Sequence, residues 1–172
     1  LVSYFGEIYR MMTREKNPLV MSTAIDHMFK IAFDMTPSQR PTLELCMLDL
    51  LGENKTKECR QAIIRKLAAN MTSPDVRRQI NTILEKHNEP TIFDEHDYMN
   101  MAYRLAMLQP ECWKEILDAE RSRLNTEELK KEFDFVSQAC NPDEKKRTEL
   151  FNSLLKVQNR QHEAWVLQTL NH

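Results

Sequence analysis

The chain has 172 residues, of which 41% are hydrophobic and 29% are charged, and its formal net charge is -2. This length and composition indicate a globular domain with a substantial core, and they exclude a disordered chain. The near-neutral charge argues against nucleic acid or an anionic membrane surface as a partner. No apolar run approaches the ~18 residues that a membrane-spanning helix requires, so no membrane span is expected.

The glycine content favours one fold class. Only Gly6 and Gly52 occur, whereas an average usage of about 7% would give about a dozen. Hairpin turns, phosphate loops and dinucleotide-binding folds all depend on glycine, so sheet architectures and Gly-rich nucleotide sites are disfavoured. The ten methionines suit helical cores, because unbranched side chains lose little freedom in a helix. The sequence therefore predicts an all-α protein.

The hydrophobic pattern predicts about ten helices joined by short links. Five lie in the first half of the chain, over residues 4–14, 17–35, 41–51, 56–70 and 74–87. Asn17 and Ser73 each precede a proline, which predicts a capping side chain followed by proline in the first helical turn. Gly52 is expected to end the third helix. Apolar residues at helical spacing predict a core stripe on the second helix: Leu19, Val20, Ala24, Ile25, Met28, Phe29 and Ala32.

A weak internal break at residues 88–93 separates the second half of the chain. The five remaining helices are expected over residues 95–108, 110–124, 126–140, 142–157 and 161–171. Asn125 with Glu128 three residues later forms a capping-box-like start for the third of these. Because the links are short, the ten helices are expected to pack as antiparallel αα-hairpins. We expect residues 1–172 to form a single α-helical domain, stacked as an irregular HEAT- or armadillo-like superhelix without a consensus repeat.

The spacing of the potential metal ligands does not allow their side chains to converge on one ion. Asp94-Glu95-His96-Asp97 is the densest cluster, but adjacent helical residues point about 100° apart, so an acidic first turn explains it better. His162-Glu163 resembles the start of a His-Glu-x-x-His zinc motif, yet the position four residues after His162 is Val166. The other histidines, His27, His87 and His172, have no partner at ligand spacing. No metal-binding residue is predicted.

No catalytic or cofactor-binding residue is predicted either. A nucleophile requires an adjacent base and an oxyanion hole, and no Gly-x-Ser-x-Gly turn occurs. The four cysteines are expected to be buried free thiols, none of them at a helix N-terminus: Cys46, Cys59, Cys112 and Cys140. Six aromatic residues are expected to anchor the core rather than to form a ligand cage: Tyr4, Phe5, Trp113, Phe133, Phe151 and Trp165.

The last third of the chain carries a distinctive order of residues. It includes Arg147, Leu150-Phe151, Leu154-Leu155, Asn159-Arg160 and Glu163-Ala164-Trp165-Val166-Leu167. On these residues, the segment 137–172 resembles the C-terminal region of bacterial members of the aminopeptidase N family of zinc metallopeptidases. Residues 8–20 are similar to the beginning of the same helical domain. The family ending normally continues into Pro-Leu-Arg, which this chain lacks.

The resemblance implies a non-catalytic role. In the family, an upstream catalytic domain uses zinc-activated water to remove N-terminal residues from peptides, and the helical domain covers its active-site cavity. The family's Gly-Ala-Met-Glu-Asn loop and His-Glu-x-x-His helix are absent here, so no functional residue is carried over. The expected partners are therefore the upstream catalytic domain and the peptide substrates of the parent enzyme, and the expected zinc belongs to that parent.

Helix-like patterns at both termini make us expect a fragment of a larger chain, in either the cytoplasm or the periplasm. An alternative function is a non-enzymatic helical-repeat scaffold that holds a peptide or a partner helix in its groove. A helical-bundle enzyme is a weak third hypothesis, because no ligand or nucleophile constellation exists. The residues encoded before Leu1 separate the first two: a His-Glu-x-x-His helix favours the aminopeptidase, and further helical repeats favour the scaffold.

Overall fold

The computed structural model describes residues 2–34, 38–52, 55–87 and 92–171, with side chains from residue 4 and up to residue 31 in the first range. Across these ranges the chain forms ten α-helices and two short 3-10 helices, without a strand, so the predicted all-α class is confirmed. The helices are α1 (Val2–Arg14), α2 (Pro18–Asp34), α3 (Arg40–Asp49), α4 (Lys57–Asn70), α5 (Pro74–Lys86), α6 (Glu95–Leu108), α7 (Trp113–Arg123), α8 (Glu127–Val136), α9 (Glu144–Leu154) and α10 (Glu163–Leu170). None of these helices is both long and apolar enough to span a bilayer.

The helices form two compact units, Leu1–Asp97 and Tyr98–His172. The boundary between the units falls inside α6. The sequence predicts a single domain with a weak break at residues 88–93, and positions 88–91 of that break lie outside the described residues. Residues 35–37, which include the predicted end of the second helix, likewise lie outside the described residues.

The core of the first unit lies between α2 and α4, with α1 and α3 beside them and α5 against α3. Its apolar side chains recur at helical spacing, as Met21, Ile25 and Met28 do on α2, and all three are fully buried. Burying one such side chain stabilises the fold by about 1.5–3 kcal/mol. Other fully buried members of this core are Met12, Met47, Leu50, Ile63, Ile64, Leu67, Met71 and Ile80.

The predicted cap at Asn17 is confirmed, whereas the one at Ser73 is not. The Asn17 Oδ1 accepts hydrogen bonds from the backbone N–H of Leu19 at 2.9 Å and of Val20 at 3.4 Å, which satisfies free donors at the start of α2. Ser73 is the N-cap residue of α5, but its side chain makes no capping bond. The backbone N–H groups of Thr72 and Ser73, just before α5, donate instead to the carboxylate of Glu44 in α3.

A buried lysine caps the C-terminal end of α1. The ammonium of Lys55 donates to the carbonyl oxygens of Met12 at 2.5 Å, Thr13 at 2.6 Å and Glu15 at 3.3 Å. These carbonyls lie at the C-terminal end of α1, where the helix dipole is negative and backbone amide donors run out. The Met12 carbonyl also accepts from the backbone N–H of Glu15 at 3.3 Å. Three donors thus meet three acceptors, and a charged side chain is buried with its hydrogen-bonding capacity satisfied.

The second unit is built around α8, which packs against α7 and α10. Phe133 of α8 is fully buried and stacks on Tyr103 of α6, with ring centroids 4.9 Å apart and an interplanar angle of 25°. Burial raises the pKa of Tyr103 well above its ordinary value of 10.0, so this phenol stays protonated. Val136 of α8 and Val166 of α10 are both buried, and these two helices pack against each other.

Several predicted boundaries in this unit are wrong by a few residues. A turn in which the Cys112 N–H donates to the Gln109 carbonyl delays the start of α7 to Trp113. The cap of α8 is Thr126, whose Oγ1 accepts from the Leu129 N–H at 3.2 Å, and not Asn125. Beyond Val136 the chain tightens into the 3-10 helix Ser137–Cys140 instead of continuing as an α-helix.

The six aromatic residues predicted to anchor the core divide into three groups. Phe133 is buried as predicted. Phe5, Trp113 and Trp165 are only half-buried. For Tyr4 and Phe151 the prediction is wrong, because their side chains are 57% and 53% exposed. Helical spacing places all six on apolar faces, but only some of those faces are covered by the described helices.

Candidate functional site

The acidic cluster at the start of α6 is a helix cap. The backbone N–H of Asp97 donates to the Asp94 carboxylate at 2.9 Å, and the Asp94 N–H donates to the Asp97 carboxylate at 3.2 Å. The buried Asp97 carboxylate also accepts from the guanidinium of Arg65 and from the amide of Gln61, both in α4. These contacts hold the two aspartates within the chain, in agreement with the expected acidic first turn of this helix.

The histidines of the described ranges do not converge on a common site. His162 is the N-cap residue of α10, and its ring stacks on Trp165 with centroids 3.9 Å apart. His87 ends α5 in the left-handed conformation, at φ 44°. His27 lies on α2, and His172 lies outside the described residues. Within the described ranges, no group of three or more His, Cys, Asp or Glu side chains is placed to hold a metal ion.

The cysteines are free thiols, two buried and two half-buried: Cys59, Cys140, Cys46 and Cys112. The expectation that none lies at a helix N-terminus is wrong, because Cys112 is the N-cap residue of α7 and Cys59 lies in the first turn of α4. The pKa of Cys112 is nevertheless raised, first by loss of solvation and then by neighbouring carboxylates. Burial raises the pKa of Cys140 to about 12. Neither thiol is therefore activated as a nucleophile.

An open apolar groove lies between α1 and α2. We call it the α1–α2 groove, and it has a volume of about 570 Å³. Its lining residues are Tyr4, Glu7, Ile8, Met11, Leu19, Val20, Thr23, Ala24 and His27. Leu19 is 74% exposed and Val20 39% exposed, so the prediction that both belong to the core is wrong, while Ala32 of the same stripe lies outside the described side chains. Apolar side chains gathered along a groove, rather than scattered singly, indicate a binding surface.

A second, more polar depression lies in the other unit, among α7, the 3-10 helix and α9. We call it the α7–α9 pocket, and it has a volume of about 500 Å³. Its lining residues are Trp113, Ser137, Gln138, Asn141, Lys146, Glu149, Leu150 and Ser153. The four contributed by α9 follow the spacing i, i+3, i+4, i+7, so one face of that helix borders the pocket. This volume falls within the range of small-molecule sites, about 300–1,000 Å³.

Sequence reasoning missed both depressions. The α9 face could have been recognised from the helical spacing of Lys146, Glu149, Leu150 and Ser153. The sequence carries no signal for the α1–α2 groove, because its apolar residues have the same helical spacing as apolar residues that are buried. The chain matches no model of a known protein family, no curated protein and no solved structure.

Proposed function

We propose that this chain is the non-catalytic C-terminal helical domain of a zinc aminopeptidase. In this proposal it covers the active-site cavity of an upstream catalytic domain, which hydrolyses N-terminal residues from peptides. The support comes from the order of residues in segments 8–20 and 137–172, from the all-α fold, and from the location of the α1–α2 groove. The zinc and the catalytic groups belong to the upstream domain.

The observation that carries the proposal is the overlap between the groove and one of the resembling segments. Ile8, Met11, Leu19 and Val20 all lie within residues 8–20, and all four line the α1–α2 groove. A segment with this order of residues therefore has its apolar side chains available to another surface. On the resemblance, the upstream catalytic domain is the surface that packs against the α1–α2 groove. The groove would then be part of the interface between the two domains.

The second resembling segment supports a structural role. The Arg147 guanidinium donates to the Asn141 carbonyl at 2.6 Å, and the Asn159 amide donates to the Ser153 carbonyl at 2.9 Å. Trp165 packs against Phe135 with ring centroids 5.9 Å apart. These residues thus fix the turns around α9 and the position of α10. A rigid helical cover of this kind would select peptides by size and exclude water from the catalytic cavity.

The test compares the intact enzyme with a Leu19→Glu variant. Because Leu19 is 74% exposed, the charge would leave the fold of this chain intact while disturbing the proposed interface. We expect the variant to lose preference among peptides of different length and to keep its zinc content. Leu167→Glu, at a position 57% exposed on α10, is the matched control and should leave the preference unchanged. An unaltered peptide profile in Leu19→Glu and in an enzyme lacking the whole domain would disprove the covering role.

The alternative remains a helical scaffold that binds a peptide or partner helix. The open apolar groove itself favours it, because a groove of this size accommodates the apolar face of a short helix. Sequencing of the gene upstream of Leu1 distinguishes the two proposals. A His-Glu-x-x-His helix there supports the aminopeptidase, and further helical repeats without that motif support the scaffold.

A further inference from the structure

The face of α9 that borders the α7–α9 pocket carries two opposite charges. Lys146 and Glu149 are three residues apart, which places their β-carbons about 5–6 Å apart on one side of the helix. Both line the pocket, although their side chains also reach solvent. Within the described part of the chain, neither group forms an ion pair with the other or with a third residue. A cation and an anion therefore border the same depression without neutralising each other.

The remaining walls provide an apolar surface beside these charges. Trp113 and Leu150 are half-buried and line the same pocket. The Ser137 hydroxyl donates to the Asp134 carbonyl in α8, and the Ser153 hydroxyl donates to the Leu150 carbonyl in α9, so their oxygen lone pairs remain able to accept. The pocket thus combines one positive group, one negative group, an aromatic wall and hydroxyl acceptors.

We propose that the α7–α9 pocket binds a free α-amino acid with an apolar side chain. The ligand's carboxylate pairs with Lys146, its ammonium pairs with Glu149, and its side chain lies against Trp113 and Leu150. A simple anion would meet Glu149, and a simple cation would meet Lys146, so a zwitterion is the ligand whose charges both find partners. The site lies in the second unit and does not depend on the proposed aminopeptidase role.

Binding is measured by calorimetry and by the shift of the Trp113 indole N–H signal when L-leucine is added to the chain. We expect saturable binding at millimolar concentrations, as is usual for a ligand with so few heavy atoms. N-acetyl-leucine lacks the ammonium and leucinamide lacks the carboxylate, so each should bind at least about tenfold more weakly. Leu-Gly-Gly keeps the ammonium but moves the carboxylate away, and it should also bind more weakly than leucine.

Two variants test which charged residue of the pocket pairs with which charge of the ligand. Lys146→Met should abolish discrimination between leucine and leucinamide, and Glu149→Gln should abolish discrimination between leucine and N-acetyl-leucine. Lys145→Met changes an exposed lysine on the same helix outside the pocket and should leave the leucine affinity unchanged. All three positions are exposed, so unaltered circular dichroism is expected.

Three results would overturn the proposal. The first is the absence of saturable leucine binding in the millimolar range. The second is equal affinity for leucine and for N-acetyl-leucine amide, which lacks both charges. The third is an equal loss of leucine affinity in Lys146→Met and Lys145→Met. Equal affinity for Leu-Gly-Gly and leucine would overturn the assignment to a free amino acid and indicate a peptide N-terminus instead.

Discussion

The carboxylate of Glu44 accepts a hydrogen bond from the backbone N–H of Ser73 at 2.7 Å, across 29 residues of sequence. It also accepts from the backbone N–H of Thr72 at 2.8 Å and from the Thr72 hydroxyl at 2.6 Å. Glu44 is fully buried, so this charge is stabilised by the free amides and the positive dipole at the start of α5. The side chain thereby fixes α3 to the beginning of α5.

Replacing Glu44 with Gln should destabilise the chain by about 1–3 kcal/mol, since one acceptor oxygen is lost and an amide donor then faces backbone donors. Urea unfolding measures the change in the free energy of unfolding. Glu85→Gln, an exposed position on α5, is the control and should lie within about 0.5 kcal/mol of the parent chain. Equal effects at both positions would contradict the capping role of Glu44.

Replacing Lys55 with Met should also destabilise, by about 1–3 kcal/mol, because the half-buried Thr13 carbonyl loses its charged donor and the buried Met12 carbonyl retains the Glu15 amide at 3.3 Å. The loss should be local, so hydrogen exchange should accelerate at the end of α1 more than in α5. Lys57→Met, at an exposed neighbouring lysine, should change neither measurement. Uniform acceleration over all helices of the first unit would argue against a local cap.

Phe133 and Phe151 form a matched pair in the second unit, since the sequence predicts both to be core residues. Phe133→Ala should cost about 3–5 kcal/mol, because it opens a cavity and removes the ring contact with Tyr103. Phe151→Ala should cost less than about 0.5 kcal/mol, because its side chain is 53% exposed. Thermal denaturation compares the two, and a large loss for Phe151 would show that its ring is buried.

Cys140 should make stability fall at alkaline pH. Burial raises its pKa from the ordinary value of 9.0 to about 12 in the folded chain. The unfolded chain therefore releases this proton at lower pH, so the stabilising contribution is complete below pH 9.0 and is lost as pH rises toward about 12. The slope of unfolding free energy against pH over this range should decrease in Cys140→Ala. An identical slope in the two proteins would contradict the assignment to Cys140.

Local signals predicted much of the fold. The bounds of α6 and the cap at Asn17 follow from residues that are close in sequence, and the structure agrees with both. The capping of α5 could not be predicted, since Glu44 and Ser73 approach each other only after α3 and α4 have packed. The exposure of Leu19 could not be predicted either, because periodicity identifies an apolar face without showing whether another helix covers it.

Met11 and Met12 are adjacent, yet Met11 is 45% exposed and Met12 is fully buried. An oxidant in solution can therefore reach the first thioether in the folded chain, whereas the second reacts only when α1 opens. Sulfoxide at Met11 would leave the core unchanged, while sulfoxide at Met12 would insert a polar oxygen beneath α1 and hinder its return. Each opening of α1 therefore exposes a core methionine to oxidation. The rate of oxidation of Met12 relative to Met11 would measure how often α1 separates from the core.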